Sequence, residues 1–293
     1  MQQELAIVVT CTDRKSVQPS LDLQLRSLGA GGLDARASAW SRRIDAARSR
    51  LPLRSLYRGE TWAQVAELER AAERAGFRPH LLVASAGLGL VDAETKAPAY
   101  GATFSSGHAD SVGETVYENQ QWWSALNAPK HAIDSALAGP TVLILSKTYA
   151  DAMAPALAAI TGRRDVLVFG GSNAIAASAR IPADLGLRRA LGGTANSLNL
   201  RTARAWFDLL PHPDIALYRQ HPKWAAWVSD TRQSDHYDRT PLSDAALESY
   251  VQRVRTEDPT ISRSRALRLL RDSGLACEQK RFAQLFESSQ ERA

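Results

Sequence analysis

Leu5-Ala6-Ile7-Val8-Val9-Thr10 runs directly into Cys11-Thr12-Asp13-Arg14-Lys15. The first six residues are mostly apolar and rich in β-branched side chains, which is the composition of a strand buried on both faces. The next five are abruptly polar, so the strand ends there and its end carries reactive groups. The same pattern recurs three times. His80-Leu81-Leu82-Val83-Ala84-Ser85 leads into Ala86-Gly87-Leu88-Gly89-Leu90-Val91, Thr141-Val142-Leu143-Ile144-Leu145 stops at Ser146, and Asp165-Val166-Leu167-Val168-Phe169 is closed by Gly170-Gly171-Ser172-Asn173. Helical patterns lie between these runs. Buried strands alternating with helices give an α/β fold whose mainly parallel sheet is flanked by helices. Ligands of such sheets bind beyond the carboxyl ends of the strands, where these four runs all end in small or polar residues.

The helical periods are expected over 36–50, over 112–137 with Gly139-Pro140 as stop, over 150–161 and over 202–210. Thr61 is placed to cap a further helix whose apolar positions are Trp62, Val65, Leu68, Ala72 and Ala75, with Gly76 ending it. Residues 92–110 form a long irregular stretch, of a length that is usually functional or disordered. The texture changes after about residue 211. Residues 1–211 read as an α/β domain of catalytic type and 212–240, rich in Pro, His, Trp and Asp, as a linker or wrapping segment. Residues 241–293 read as a small basic all-helical domain of helix-turn-helix type, with helices over 244–255, 262–271 and 278–287. Its expected core is Ile261, Ala266, Leu269, Leu270, Leu275, Phe282 and Phe286.

The 293 residues are 44% hydrophobic and 23% charged, a globular balance that excludes disordered and collagen-like classes. No apolar run approaches the ~18 residues of a membrane span, so no membrane partner is expected. Met1-Gln2-Gln3-Glu4 lacks the basic start of a signal peptide, and only Cys11 and Cys277 are present, so the expected compartment is the reducing cytoplasm. The formal net charge of +5 permits a polyanionic partner, and 30 of the 36 basic residues are arginine, the side chain suited to phosphate forks.

Several clusters carry candidate chemistry. Cys11 follows a strand and is close in sequence to Arg14 and Lys15, cations that favour a thiolate; Asp13 or Lys15 is placed to move protons. The alternative is a small core cysteine. Ser85, Gly87 and Gly89 form a strand end where backbone N–H groups can approach a ligand, or simply a packing turn. Tyr100, Thr103 and Phe104 precede His108 and Asp110, a histidine and a carboxylate spaced to act as a base and its orienter. Asp110 or Ser111 is equally suited to capping the next helix. Arg58 and Trp62 line a candidate pocket or a surface turn, and Asn196 and Asn199 lie on a glycine turn entering a helix capped by Ser197. Neither a metal motif nor a cofactor motif accompanies them. In the last helices Arg263, Arg265, Arg268, Lys280 and Arg281 are candidates for phosphate contact, or the unit packs on a protein.

Taken together, the segments 11–15 and 56–62, Ser85 to Val91, Ala102-Thr103-Phe104 with Gly107-His108, and Leu191 to Asn199 resemble the YaaA-like superfamily. Within it they are similar to DpdC-type proteins of gene clusters that insert 7-deazaguanines into DNA. The resemblance covers roughly residues 4–210. It implies hydration of the nitrile of 7-cyano-7-deazaguanine in DNA to the carboxamide, with double-stranded DNA and other proteins of such a cluster as partners. Under that implication Cys11 attacks the nitrile carbon and Asp13 or His108 protonates the nitrogen. Backbone N–H groups around Gly87 to Gly89 steady the developing anion, and the base stacks on Tyr100, Phe104 or Trp62. Attack by a water activated by His108 or Asp110 is the other route. A second class of function also fits the residues, a non-catalytic DNA-binding protein of a defence or stress-response system.

Overall fold

The computed structural model describes residues 2–127, 136–218, 221–233 and 240–288. The chain divides into two compact units, 1–233 and 234–293.

The first unit is an α/β layer structure built on a six-stranded sheet. Its strands are β1 (Gln3–Thr10), β2 (Phe77–Ser85), β3 (Gly89–Asp92), β4 (Thr141–Leu145), β5 (Val166–Gly170) and β6 (Arg180–Ile181). They lie in the order β3-β2-β1-β4-β5-β6. All neighbours are parallel except β2 and β3, which pair antiparallel through a tight turn. β1 is central: Gln3 pairs with Phe77 on one side and Ala6 with Thr141 on the other.

Alternation along β1 sorts its side chains between two cores. Leu5, Ile7 and Val9 join one, with α2 (Glu60–Arg74), α6 (Leu198–Asp208) and Trp224 of α7 (Pro222–Thr231). Ala6 and Val8 join the other. That second face is covered by α1 (Leu33–Ala46), α3 (Val116–Leu126), α4 (Lys147–Ala152) and α5 (Ala154–Ile160). Both faces are therefore dry, which is why the strands lack polar alternation.

Several local expectations are corrected. The expected helix over 112–137 begins at Val116, because Thr115 and Glu118 close a capping box; neither Asp110 nor Ser111 caps it. Part of that expectation, 128–135, lies outside the described residues. Gly59, not Thr61, is the N-cap of α2. Gly89 to Val91 belong to the antiparallel strand β3 instead of a loop. In 212–233, Ile215 and Trp224 belong to the first core, so of the two readings of this stretch, linker or wrapping segment, the packing favours the second.

The second unit consists of α8 (Asp244–Glu257), α9 (Arg263–Asp272) and α10 (Gln279–Ser288). Ser243 and Ser262 cap the first two helices, and Gly274, at φ 78°, ends the turn after α9. A short parallel ladder pairs Leu275 with Thr240. Leu247, Val251, Ala266, Leu267, Leu270 and Phe282 form the centre of its core. Leu269, expected inside, is 46% exposed, and Leu267 takes the inward position.

Candidate functional site

The strand order reverses direction at β1 and β4: from β1 the chain moves one way to β2, and from β3 it crosses to the other side at β4. The crevice beyond the carboxyl ends of two such strands is where open α/β sheets hold ligands. Cys11 lies just past β1. Ser146, just past β4, caps α4 by accepting a bond from the Tyr149 backbone N–H. This places Tyr149 in the first turn, and its hydroxyl lies 3.0 Å from the Cys11 sulfur. Cys11 itself is half-buried.

A second group of hydroxyls adjoins this pair. The Tyr57 and Tyr100 hydroxyls are 2.6 Å apart, and Ser85 Oγ is 2.5 Å from the Tyr100 hydroxyl. Ser85 Oγ also accepts from the backbone N–H groups of Gly87 and Leu88, each at 3.1 Å. The turn is held from outside by two indoles: Trp40 Nε1 donates to the Gly87 carbonyl and Trp122 Nε1 to that of Ala86. Gly87 is needed here because a Cβ would lie 2.4 Å from the Tyr100 ring. Burial holds the Tyr57, Tyr100 and Tyr149 hydroxyls well above the usual tyrosine range, so all three stay protonated donors at neutral pH.

Lys15 supplies the cation. Its Nζ donates to the carbonyls of Thr12 and Asp13 and lies 4.6 Å from the centre of the Tyr100 ring. Burial pushes its ammonium below the usual lysine range, while Cys11, Asp13 and Asp110 pull it the other way. No carboxylate lies within ion-pair distance of it among the described residues.

The remaining expected residues separate into distinct roles. The Asp13 carboxylate points to solvent. His108 is exposed, and its Nδ1 accepts from the Asp110 backbone N–H, not from a carboxylic partner. The Asp110 carboxylate is buried and accepts from the Arg26 backbone N–H at 3.0 Å. The expected dyad of His108 with the Asp110 carboxylate is therefore not formed; Asp110 fixes the loop instead. The expected anion hole at Gly87 to Gly89 is also closed, since the N–H groups of Gly87 and Leu88 are engaged by Ser85. Tyr100 and Phe104 are 0% and 1% exposed, so neither ring offers a face for stacking. Trp62 is half-buried and packs edge-on against Tyr57 at 4.8 Å. Thr103 turns its hydroxyl to the Ser105 N–H, and Asn199 Nδ2 donates to the Leu145 carbonyl at the end of β4. Gly89 is buried at the start of β3, while Arg58 and Asn196 are exposed.

In the second unit three of the five candidate cations are already paired: Arg263 with Glu287, Arg265 with Asp258 and Arg281 with Asp244. Over 240–288 eight basic side chains face seven acidic ones, so the unit is nearly neutral. The basic character seen over 261–282 is offset by the flanking helices.

Sequence reasoning missed Tyr149, and offered Tyr57 only as part of the 57–62 pocket lining or surface turn. The available signals were a serine directly after a buried strand, which begins a helix and turns its first residues toward the strand ends, and the tyrosine heading the Arg58-Gly59 turn. Among the described residues no group of three or more His, Cys, Asp and Glu side chains is placed to hold a metal ion, and no helix is long and apolar enough to cross a membrane. No protein-family model matches the chain, and no curated protein or solved structure matches it either.

Proposed function

We propose that the chain is an enzyme that adds water to a nitrile carried by a nucleobase in DNA, the 7-cyano group of a 7-deazaguanine, with Cys11 as nucleophile and Lys15 as proton donor. The observation that carries the reading is the juxtaposition at the strand-order reversal: a half-buried thiol beside a tyrosine hydroxyl, with a partly buried ammonium that makes no ion pair among the described residues. The substrate class comes from the resemblance of the motifs at Cys11 to Lys15, Ser85 to Val91 and Leu191 to Asn199 to DpdC-type proteins.

The steps balance. The Cys11 thiolate forms a C–S bond to the nitrile carbon as one C–N π bond breaks, and the nitrogen takes a proton from the Lys15 ammonium, leaving a thioimidate. Water adds across the remaining C–N double bond. The C–S bond then breaks to release the carboxamide and the thiolate, and the hydroxyl proton returns to the Lys15 amine. Lys15 replaces His108 and Asp13 as the acid because it alone among the three is both close to Cys11 and shielded from water. The 7-substituent of such a base already projects into the major groove, so it is the first part of the base a protein meets.

The test is mass spectrometry of nucleosides after incubating the protein with DNA carrying 7-cyano-7-deazaguanine. The base gains one water with the native protein. Cys11→Ala abolishes the product, and Lys15→Met lowers the rate by about two orders of magnitude or more. Unchanged DNA that is nonetheless bound would replace this reading with that of a non-catalytic DNA-binding protein.

A further inference from the structure

Beyond β1 the chain runs beside residues 55–58 as a two-stranded ribbon. Lys15 pairs antiparallel with Tyr57, the Ser16 N–H donates to the Leu56 carbonyl at 2.8 Å, and the Arg58 N–H donates to the Arg14 carbonyl at 2.9 Å. This register sets Arg14 directly opposite Arg58. Side chains alternate between the two faces of such a ribbon. Lys15 and Tyr57 turn inward: Tyr57 is buried and Lys15 Nζ lies over the Tyr100 ring. Arg14 and Arg58 share the other face, and both are exposed. Their backbones are clamped together, because the Thr12 hydroxyl lies within hydrogen-bond distance of both carbonyls, 3.1 Å from that of Arg14 and 3.3 Å from that of Arg58. The Arg14 stem lies across Gly59, where a Cβ would sit 3.2 Å from Arg14 Cδ.

Like charges directly opposite each other on neighbouring strands repel and weaken the pairing. Elsewhere the first unit relieves its arginines with acids, as in Arg54 with Glu69 and Arg78 with Glu4. Among the described residues Arg14 and Arg58 make no ion pair and no side-chain hydrogen bond, although Asp13 and Glu60 flank them in sequence; Glu60 is held by Arg201 at 2.6 Å instead. An anion from outside supplies the missing counter-charge, and two guanidinium groups held side by side by their backbones suit the oxygens of a phosphodiester. We propose that Arg14 and Arg58 form a fork that grips the phosphodiester backbone of the DNA whose base is offered to Cys11. The proposal rests on the reading of DNA as the carrier of the substrate, and adds to it the contact that holds the strand. One ribbon then carries Lys15 on one face and the arginine pair on the other, so the same piece of backbone sets both the proton donor and the grip. Such a contact positions the strand without reading its sequence.

The experiment is an anisotropy titration of the full chain with a fluorescein-labelled duplex of unmodified sequence, from about 50 to 200 mM salt. Arg14→Ala combined with Arg58→Ala is expected to weaken binding about tenfold or more and to lower the slope of log affinity against log salt by about two. Arg42→Ala combined with Arg164→Ala removes the same charge from exposed positions on α1 and just before β5, and leaves the slope unchanged. Arg14→Lys with Arg58→Lys keeps the slope but loses part of the affinity, since the charge stays and the fork does not. Because the native pair is repulsive, the alanine pair keeps or raises the urea midpoint, which separates a lost contact from a damaged fold. If the double variant does not fold, the single variants decide, each lowering the slope by about one. An unchanged slope overturns the fork, as does an equal drop in the Arg42 and Arg164 variant. A native chain that binds inorganic phosphate in calorimetry but not the duplex also overturns it. The duplex carries no nitrile, so the two readings fail separately: hydration with an unaltered slope removes the fork alone, and a lowered slope without hydration removes the reaction alone.

Discussion

Gly170 ends β5 at φ 80°, where a Cβ would sit 2.2 Å from Asn199 Nδ2 and 2.4 Å from the Leu145 carbonyl oxygen. Both the backbone conformation and the space exclude a side chain. Gly170→Ala is expected to cost roughly 2–4 kcal/mol, read as a lowered urea midpoint. It also displaces Asn199, which ties α6 to the end of β4. At this scale the sequence was legible wherever a residue's role follows from its place along one strand: Cys11, Lys15 and Ser85 are strand-end residues, and all three are in or beside the hydroxyl cluster. It was not legible where the role depends on which side chain approaches from elsewhere. Tyr149 reaches the sulfur, and Tyr57 the adjoining hydroxyls, from segments far from Cys11 in sequence. Tyr100 and Phe104 looked like stacking platforms because their composition matches one, but burial on both sides leaves no face for a ligand. His108 and Asp110 have a spacing compatible with a dyad, yet the turn between them directs the carboxylate inward to Arg26.

Helix α7 begins with an unusual cap. His221, 3% exposed, uses Nδ1 to accept from the Trp224 N–H and Nε2 to bond the Leu209 carbonyl. Only the neutral ring, protonated on Nε2, can do both. Burial accordingly pushes the His221 imidazolium below the usual histidine range. In the unfolded chain this histidine takes up a proton below about pH 6.5, while in the fold it resists doing so. The unfolded state then binds more protons, so the contribution is complete above that pH and is lost as pH falls through it toward the lower folded value. The urea midpoint is expected to drop between about pH 7.5 and about pH 5.5, and His221→Asn, which keeps an acceptor for the helix, flattens that part of the slope. The element scale explains why the stretch holding this helix reads as a linker or wrapping segment. The prolines and histidines of this stretch match the composition of a loop, but Pro222 stands at the first helical position, where it is favoured, and His221 is the cap. The four parallel core strands were legible because continuous apolar runs have few other uses. β3 was hidden because a two-glycine turn resembles a ligand loop and a hairpin equally well.

For the molecule as a whole, composition was a poorer guide than local pattern. The net charge of +5 and the arginine-rich last helices suggested a strongly basic appendage, whereas residues 240–288 are close to neutral and three of their arginines are held in ion pairs. Among the described residues Arg268 and Lys280 carry no such pair. If this unit contacts duplex DNA, replacing both by alanine weakens binding across sequences and lowers the slope of log affinity against log salt by about two. An unchanged slope in a filter-binding or anisotropy titration would assign the unit to a protein partner. The three-helix organisation itself was legible, since serine caps and the Gly274 stop mark each boundary.

The central position of β1 has a consequence for the growing chain. The first strand made is the one whose partners come later: it pairs with Phe77–Ser85 and then with Thr141–Leu145, and its thiol meets Tyr149 only after both. During synthesis the nascent segment therefore keeps one edge of β1 unpaired until more than half of the first unit has left the ribosome. An open apolar edge invites pairing with other chains, so it is a natural point for chaperone engagement. The Cys11 thiol at the end of that edge, half-buried in the finished fold, is open to solvent through the same interval, so oxidants reach it more readily during synthesis than afterwards.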